Sequence, residues 1–330
     1  MNRFKKILFA LTDTEDDLRA VANLVDLARA TNASVHVVST EHGRSDVLQS
    51  ALTMLGWKRS FVDDVHAAAH AHLARIRDEF AAHKLSVTSA SVEGPAFIAA
   101  IQEGLAMGAD LIAVPAAGDG APTPFVQHLM RKAPCPVWMM RSWPSTLQRG
   151  FNRILCAVDP QTADAERMKL AHSTLRLARS LAVHHNAALT VLHSWHVDEV
   201  ASLRSSGFLS VSEEELQSIE LAAETGAQAR LDALIAEHAL EDLGAEIMLE
   251  HGKPATAIKD AADITSADLV VLGTVGRTGI PGLLIGNTAE EVLGSVHCSV
   301  IAVKPEGFES PVAPNTPTGS AVASPALASI

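Results

Sequence analysis

Residues 273–292 read GTVGRTGIPGLLIGNTAEEV and follow the apolar run Leu269-Val270-Val271-Leu272. Five glycines separate the end of an expected strand from the expected start of a helix at Asn287-Thr288. Glycine admits positive φ and lets a ligand approach backbone N–H groups with no Cβ in the way. The first turn of a helix adds unpaired N–H donors and the positive end of a dipole, and Arg277 adds a guanidinium suited to phosphate oxygens. Together these residues can cradle a phosphate. The same pattern also suits an ordinary turn. Asn287 followed by Glu290 has the spacing of a capping box, and Glu290 and Glu291 favour a helix start while opposing a polyphosphate. The loop is neither a Walker A sequence nor G-x-G-x-x-G, so the local pattern leaves nucleotide binding and a structural turn both open.

The elements that must position this loop occur twice along the chain. Lys6-Ile7-Leu8-Phe9-Ala10-Leu11 recurs as Arg153-Ile154-Leu155-Cys156-Ala157-Val158, and Asp110-Leu111-Ile112-Ala113-Val114 as Asp268-Leu269-Val270-Val271-Leu272. Cys135-Pro136-Val137-Trp138 recurs near Cys298-Ser299-Val300-Ile301, and the offset grows from 147 through 158 to 163 residues. The second copy therefore gains residues around Val197 to Glu214 and again inside the glycine loop. Residues 1–141 are expected to form the first domain, 142–152 a linker broken by Trp143-Pro144-Ser145, and 153–305 the second domain. The Pro-, Ser-, Ala- and Thr-rich residues 306–330 read as a disordered tail.

In the second copy, apolar runs at 154–158, 189–192, 247–249, 269–272 and 300–303 flank helical patterns near 162–185, 212–239, 254–265 and 288–296. Continuous apolar runs suit parallel strands buried on both faces, joined by right-handed crossovers. Each copy is expected to be an α/β domain with a doubly wound, five-stranded parallel sheet. Ligands of such sheets bind beyond the carboxyl ends of the strands, where strand order reverses.

The chain's 330 residues suffice for two domains of about 150 each. A net charge of −12 repels phosphate backbones, so nucleic acid is not an expected partner. Cys135, Cys156 and Cys298 have no C-x-x-C spacing, against a disulfide framework or a thiolate zinc site. No run approaches the ~20 apolar residues of a membrane span. The basic start Arg3, Lys5, Lys6 leads into a run too short for a signal peptide, and a cytoplasmic protein is expected.

Gly273-x-x-Gly276, nine residues, then Gly286-Asn287-Thr288 resembles the G-x2-G-x9-G-(S/T/N) ATP-binding signature of the universal stress protein family. Ala157-Val158-Asp159 after the first strand and Cys298 to Pro305 at the end extend the likeness, which covers about residues 4–140 and 152–305 and is greatest for the tandem E subgroup. The resemblance implies a Rossmann-like fold akin to adenine nucleotide α-hydrolases. It also implies a cytoplasmic stress-response regulatory or protective factor, and ATP, with or without Mg²⁺, as ligand. Asp159, with Ala157 and Val158, would lie beside the adenosine, and the backbone at Ser194 would meet the adenine. Gly273, Thr274, Gly276 and Arg277 would line ribose and phosphates; Gly286, Asn287 and Thr288 would complete the phosphate site. In the family the last strands pair, so the copies should form a built-in pseudo-dimer, with a further homodimer left open.

The first copy departs from this signature. Pro115 replaces the first glycine, Asp119 puts negative charge in the loop, and Pro122 and Pro124 remove N–H donors. Thr12 stands where Asp159 does, with Asp13 adjacent, so this half is not expected to bind ATP. His66 and His70 share a helical face near Asp63 and His72, but without H-E-x-x-H a surface helix explains them and no metal site is assigned. His184-His185 suits a helix end. No G-x-S-x-G elbow or nucleophile–base pair is evident, so no catalytic residue is assigned and at most slow ATP hydrolysis is expected. Residues 195–212 could form a lid. The rival readings are a nucleotide-free interaction or small-ligand protein with a structural glycine loop, and an α-hydrolase-type enzyme with magnesium-dependent turnover.

Overall fold

The computed structural model describes residues 4–41, 59–116, 120–141, 150–160, 163–197, 212–274 and 285–315. Copy one runs β1 (Lys6–Ala10), α1 (Glu15–Thr31), β2 (Ser34–Glu41), α2 (Arg59–Ala82), β3 (Val87–Glu93), α3 (Ala96–Met107), β4 (Leu111–Ala116), α4 (Pro124–Lys132) and β5 (Val137–Arg141). Copy two runs β6 (Arg153–Ala157), α5 (Ala165–His185), β7 (Ala188–Trp195), α6 (Glu213–Ala236), a 3₁₀ turn (Glu241–Leu243), β8 (Glu246–His251), α7 (Pro254–Ile264), β9 (Leu269–Gly273), α8 (Asn287–Ser295) and β10 (Ser299–Val303).

The strands form one 10-stranded sheet in the order β3-β2-β1-β4-β5-β10-β9-β6-β7-β8. Both expected doubly wound units are present, each with its first strand between its second and fourth, and strands within a unit run parallel. At the junction β5 and β10 pair antiparallel, with Met139 opposite Val300 and Trp138 opposite Ile301. The pseudo-dimer is thus one continuous sheet. Its central strands β4, β5 and β10 are buried at every residue, as their unbroken apolar runs require, whereas the edge strands β3 and β8 carry polar, exposed positions.

Helices cover both faces. One apolar cluster joins α1, α2, α5 and α6 of both copies, and a second joins α3, α4, α7 and α8. Equivalent helices α1 and α5 stop at equivalent residues, Asn32 and Asn186, both left-handed with φ of 51° and 52°. Asparagine tolerates that conformation and so ends both helices one step before the next strand.

The seam between copies is both apolar and polar. Trp138, 1% exposed, meets Phe151 with ring centroids 5.5 Å apart. Arg131 Nε donates to Glu290 Oε1 at 2.7 Å, and Arg141 Nη2 donates to the carbonyls of Gly120 and Leu293. Buried Lys304 donates to the carbonyl of Met130, and removal from water pushes its pKa down to about 7.

Three local expectations change. Gly286 rather than Asn287 caps α8, and Glu290 turns to Arg131, so no capping box forms there. Within the expected tail, residues 306–315 instead lie along copy one: Ser310 Oγ donates to Lys132 O at 2.7 Å, and Gln102 Nε2 donates to Ala313 O at 3.1 Å. His185 faces Asp26 of copy one at 3.5 Å and the ring of Phe151, and burial, then His184, lower its pKa. It is a neutral seam residue, not a protonated partner of the α5 dipole. The proposed lid residues 198–211 lie outside the described residues.

Candidate functional site at the carboxyl ends of β6 and β9

The strand order of copy two reverses between β6 and β9, because the chain moves outward from β6 through β7 to β8 and then returns to β9 on the other side. Ala157 is paired with Leu192 on one side and Leu272 on the other. The ends of these strands therefore bring Ala157, Val158, Asp159, Ser194, Gly273 and Thr274 to one rim of the sheet. Gly276 and Arg277 lie outside the described residues.

Each wall has an identifiable cause. Gly273 is half-buried, and a Cβ there would lie 2.7 Å from Leu170 Cγ, so α5 can cross the end of β9 only over glycine. Thr274 is fully buried; its N–H donates to Val303 O at 2.8 Å and its hydroxyl to the same oxygen at 3.1 Å. It pins the start of the loop to β10 and is not a free N–H donor. Asp159 remains accessible, with 45% side-chain exposure and Arg167 Nη1 3.5 Å from its Oδ2.

On the far side of the loop, Gly286 has φ −69° and ψ 154° and no side-chain hydrogen bond caps α8. Asn287 is exposed and Thr288 half-buried, in the first turn where helical amides have no intrahelical acceptor. Among the described residues no side chain occupies these amides, which carry the positive end of the helix dipole.

His193 is 3% exposed, and its Nδ1 lies 3.1 Å from Val158 O. A carbonyl only accepts, so Nδ1 carries the proton and Nε2 is left as a buried acceptor without a partner among the described residues. Burial lowers its pKa against the opposing pull of Asp159 and the Val158 hydrogen bond. The imidazole is neutral and fixes the Val158–Asp159 turn. Sequence reasoning missed Arg167 and Arg230. Arg167 stands eight residues after Asp159, on the turn of α5 facing it. Arg230 lies on α6 within electrostatic reach of His193, and no spacing in the sequence marks it.

In copy one the same place is filled by the chain itself. Asp17, 0% exposed, accepts from Thr12 N at 3.0 Å, Thr12 Oγ1 at 2.9 Å and Thr14 N at 3.2 Å, and pairs with His72 Nε2 at 2.9 Å. His72 thus belongs to this network and not to a histidine metal cluster on α2. Helix α4 is capped by Thr123, whose hydroxyl accepts from Val126 N at 3.5 Å, and begins with Pro124.

A sequence model described as the universal stress protein family matches residues 3–141 and again 150–304. The chain belongs to the universal stress protein family. It carries the family unit twice, and Universal stress protein E of Escherichia coli strain K12 is 31% identical to it over 201 residues, 58% of this chain and 57% of that protein. Universal stress protein E of Salmonella typhi is 31% identical over 197 residues, 58% of each chain. The match spans a little over half the length of these curated relatives.

Among solved structures, a putative universal stress protein from Pseudomonas aeruginosa UCBPP-PA14 superposes with a TM-score of 0.65 at 24% identity, covering 92% of this chain and 95% of that one. A universal stress protein from Archaeoglobus fulgidus DSM 4304 gives a TM-score of 0.59 at 15% identity, covering 90% and 98%. Both likenesses concern the fold. Among the described residues no helix is long and apolar enough to cross a membrane.

Proposed function

We propose that copy two binds an adenine nucleotide, ATP with or without Mg²⁺, and that the chain acts in the cytoplasm as a nucleotide-responsive regulatory or protective factor in stress response. The observation that supports this reading is the start of α8: a glycine at the N-cap, no side chain on its amides among the described residues, and the switch point of the sheet beside it. Gly286, Asn287 and Thr288 would hold phosphate through backbone N–H groups, with Gly276 and Arg277 contributing from the loop. Ala157, Val158 and Asp159 would flank the nucleoside, and the backbone at Ser194 would meet the base. Gly273 and Thr274 act chiefly by shaping the loop, one through its close contact with Leu170 and the other through its bonds to Val303. Bound ATP brings its own negative charge, which Arg167 offsets beside Asp159. The chain's role is binding and orientation, with hydrolysis at most slow.

Mass analysis of the ligand that copurifies, followed by equilibrium dialysis with ATP and AMP, tests this reading. Binding that Gly276→Asp or Gly286→Asp abolishes supports it; unchanged affinity in both removes it. A second reading, a nucleotide-free interaction protein, draws on the Thr274 bonds, which give the loop a structural anchor of its own. It predicts no adenine nucleotide in either experiment.

A further inference from the structure

Away from the glycine loop, a cleft of about 680 Å³ opens where α5 and the end of α6 meet α1 of the other copy. Its volume is that of a small-molecule site. Helix α5 leaves the carboxyl end of β6 and ends at Asn186, just before β7 begins, so the cleft lies toward the opposite end of the sheet from α8.

Two arginines, Arg176 and Arg179, line it with His184, His238 and Ser180, against the lining carboxylate Glu237. That balance is opposite to the chain's net charge of −12. Arg176 Nη2 also donates to Ser173 Oγ at 3.0 Å and lies 3.8 Å from Glu306 Oε1, and His238 Nε2 lies 2.9 Å from His172 Nδ1. Glu237 is drawn toward His172 Nε2, 3.8 Å away. Arg179 makes no hydrogen bond or ion pair among the described residues, and its Nε is buried without a partner. Burial, then His172, then Arg176 hold the pKa of His238 down, and Arg179 adds to this, as expected where positive charges converge. The floor is apolar: Ala30 comes from copy one, and Val183 is 55% exposed.

We propose that this cleft is a second ligand site, specific for a small phosphate-bearing anion. Arg179 and Arg176, three residues apart on one face of α5, present guanidinium donors to one group of oxygens, Arg176 exchanging its 3.8 Å contact with Glu306 for the ligand. Ser180 adds a hydroxyl donor, and Ala30 with Val183 receives the apolar part of the molecule. Because Ala30 belongs to copy one and the cations to copy two, occupancy tightens the seam.

Inorganic pyrophosphate is the probe, titrated by calorimetry at constant ionic strength into the full chain and into Gly286→Asp. The site gives saturable binding in both. Arg179→Ala weakens it by about tenfold or more, as loss of a forked charge-assisted contact requires, and Arg179→Lys recovers part of that loss. Arg176 is 56% exposed, so Arg176→Ala folds and provides an independent arm with a similar loss. The proposal is overturned by absence of saturable binding in Gly286→Asp, or by wild-type affinity in both Arg179→Ala and Arg176→Ala. Failure of ATP to bind copy two leaves this result untouched, which separates the two proposals.

Discussion

The carboxyl end of β1 and the carboxyl end of β6 are the same place in two copies of one fold, and they are built for opposite purposes. At β1 a buried aspartate, Asp17, gathers two backbone amides, a hydroxyl and His72, and the nearby α4 is capped by its own Thr123. At β6 Asp159 stands at the position of Thr12, half-exposed with Arg167 Nη1 3.5 Å away, and among the described residues no side chain caps α8, which opens on a glycine. Asp17 lies within α1, and its counterpart by spacing is Asp164, which accepts from Glu166 N and Arg167 N; the two ends differ in the residue that follows the strand and in the start of the last helix. Copy one closes this end with its own side chains; copy two keeps a half-exposed aspartate and a helix that starts on glycine there. Duplication into one continuous sheet permits this division, because the seam stabilises both halves whichever keeps a pocket.

The largest expected effect comes from giving copy two the cap of copy one. Asp is a good N-cap, and the φ of −69° at Gly286 suits an L-residue, so Gly286→Asp holds or slightly raises the thermal midpoint. The same carboxylate occupies the α8 amides and repels phosphate. Nucleotide affinity should fall by about a hundredfold or more, roughly 3 kcal/mol. Calorimetry and thermal melts on one preparation check both halves of this expectation.

Next in size is the exchange of roles between the aspartates. Asp17→Ala leaves two amides and His72 without their acceptor and should cost about 2–4 kcal/mol in urea unfolding. Asp159→Ala removes a half-exposed carboxylate from its 3.5 Å contact with Arg167 and should cost less, about 1 kcal/mol or below. Equal costs for the two would erase the contrast. Smaller again, Gly273→Ala drives a methyl to 2.7 Å from Leu170 and should destabilise by about 1–3 kcal/mol. A double-mutant cycle with Leu170→Ala measures the clash, which should disappear in the pair.

A final effect, read across pH, concerns the seam that both copies share. Lys304 has its pKa lowered from 10.5 to about 7 on folding, so between these values the unfolded chain binds more protons. Stability therefore rises as pH increases from about 7 toward 10.5, and is lowest when the buried ammonium must stay charged. Lys304→Met should flatten that rise in urea midpoints measured across the window. An unchanged slope would assign the pH dependence to other groups.

Much of this was legible in the residues. The repeated apolar runs located the strands of copy two, and Pro115, Pro122 and Pro124 already distinguished the two loops. The glycine spacing led to the α8 start because phosphate chemistry requires backbone amides near the helix terminus. What stayed hidden depends on contacts distant in sequence. Nothing near Asp17 indicates that His72, 55 residues away, will complete its shell. Glu290 matched a local capping rule, but Arg131 from the other copy competes for its carboxylate and takes it. Nothing near Gly273 in the sequence indicates that its missing Cβ makes room for Leu170. The docking of residues 306–315 was invisible because low charge and high proline content describe composition, not the carbonyl of Lys132 waiting for Ser310.

The central claim is that only the open end at β6 holds a nucleotide. Equilibrium dialysis with radiolabelled ATP, on the full chain freed of copurified ligand, measures this as a stoichiometry. The account predicts one ATP per chain, lost in Gly286→Asp and retained in Thr12→Val, which alters the closed end at β1. Two ATP per chain, none, or one that survives Gly286→Asp would contradict it.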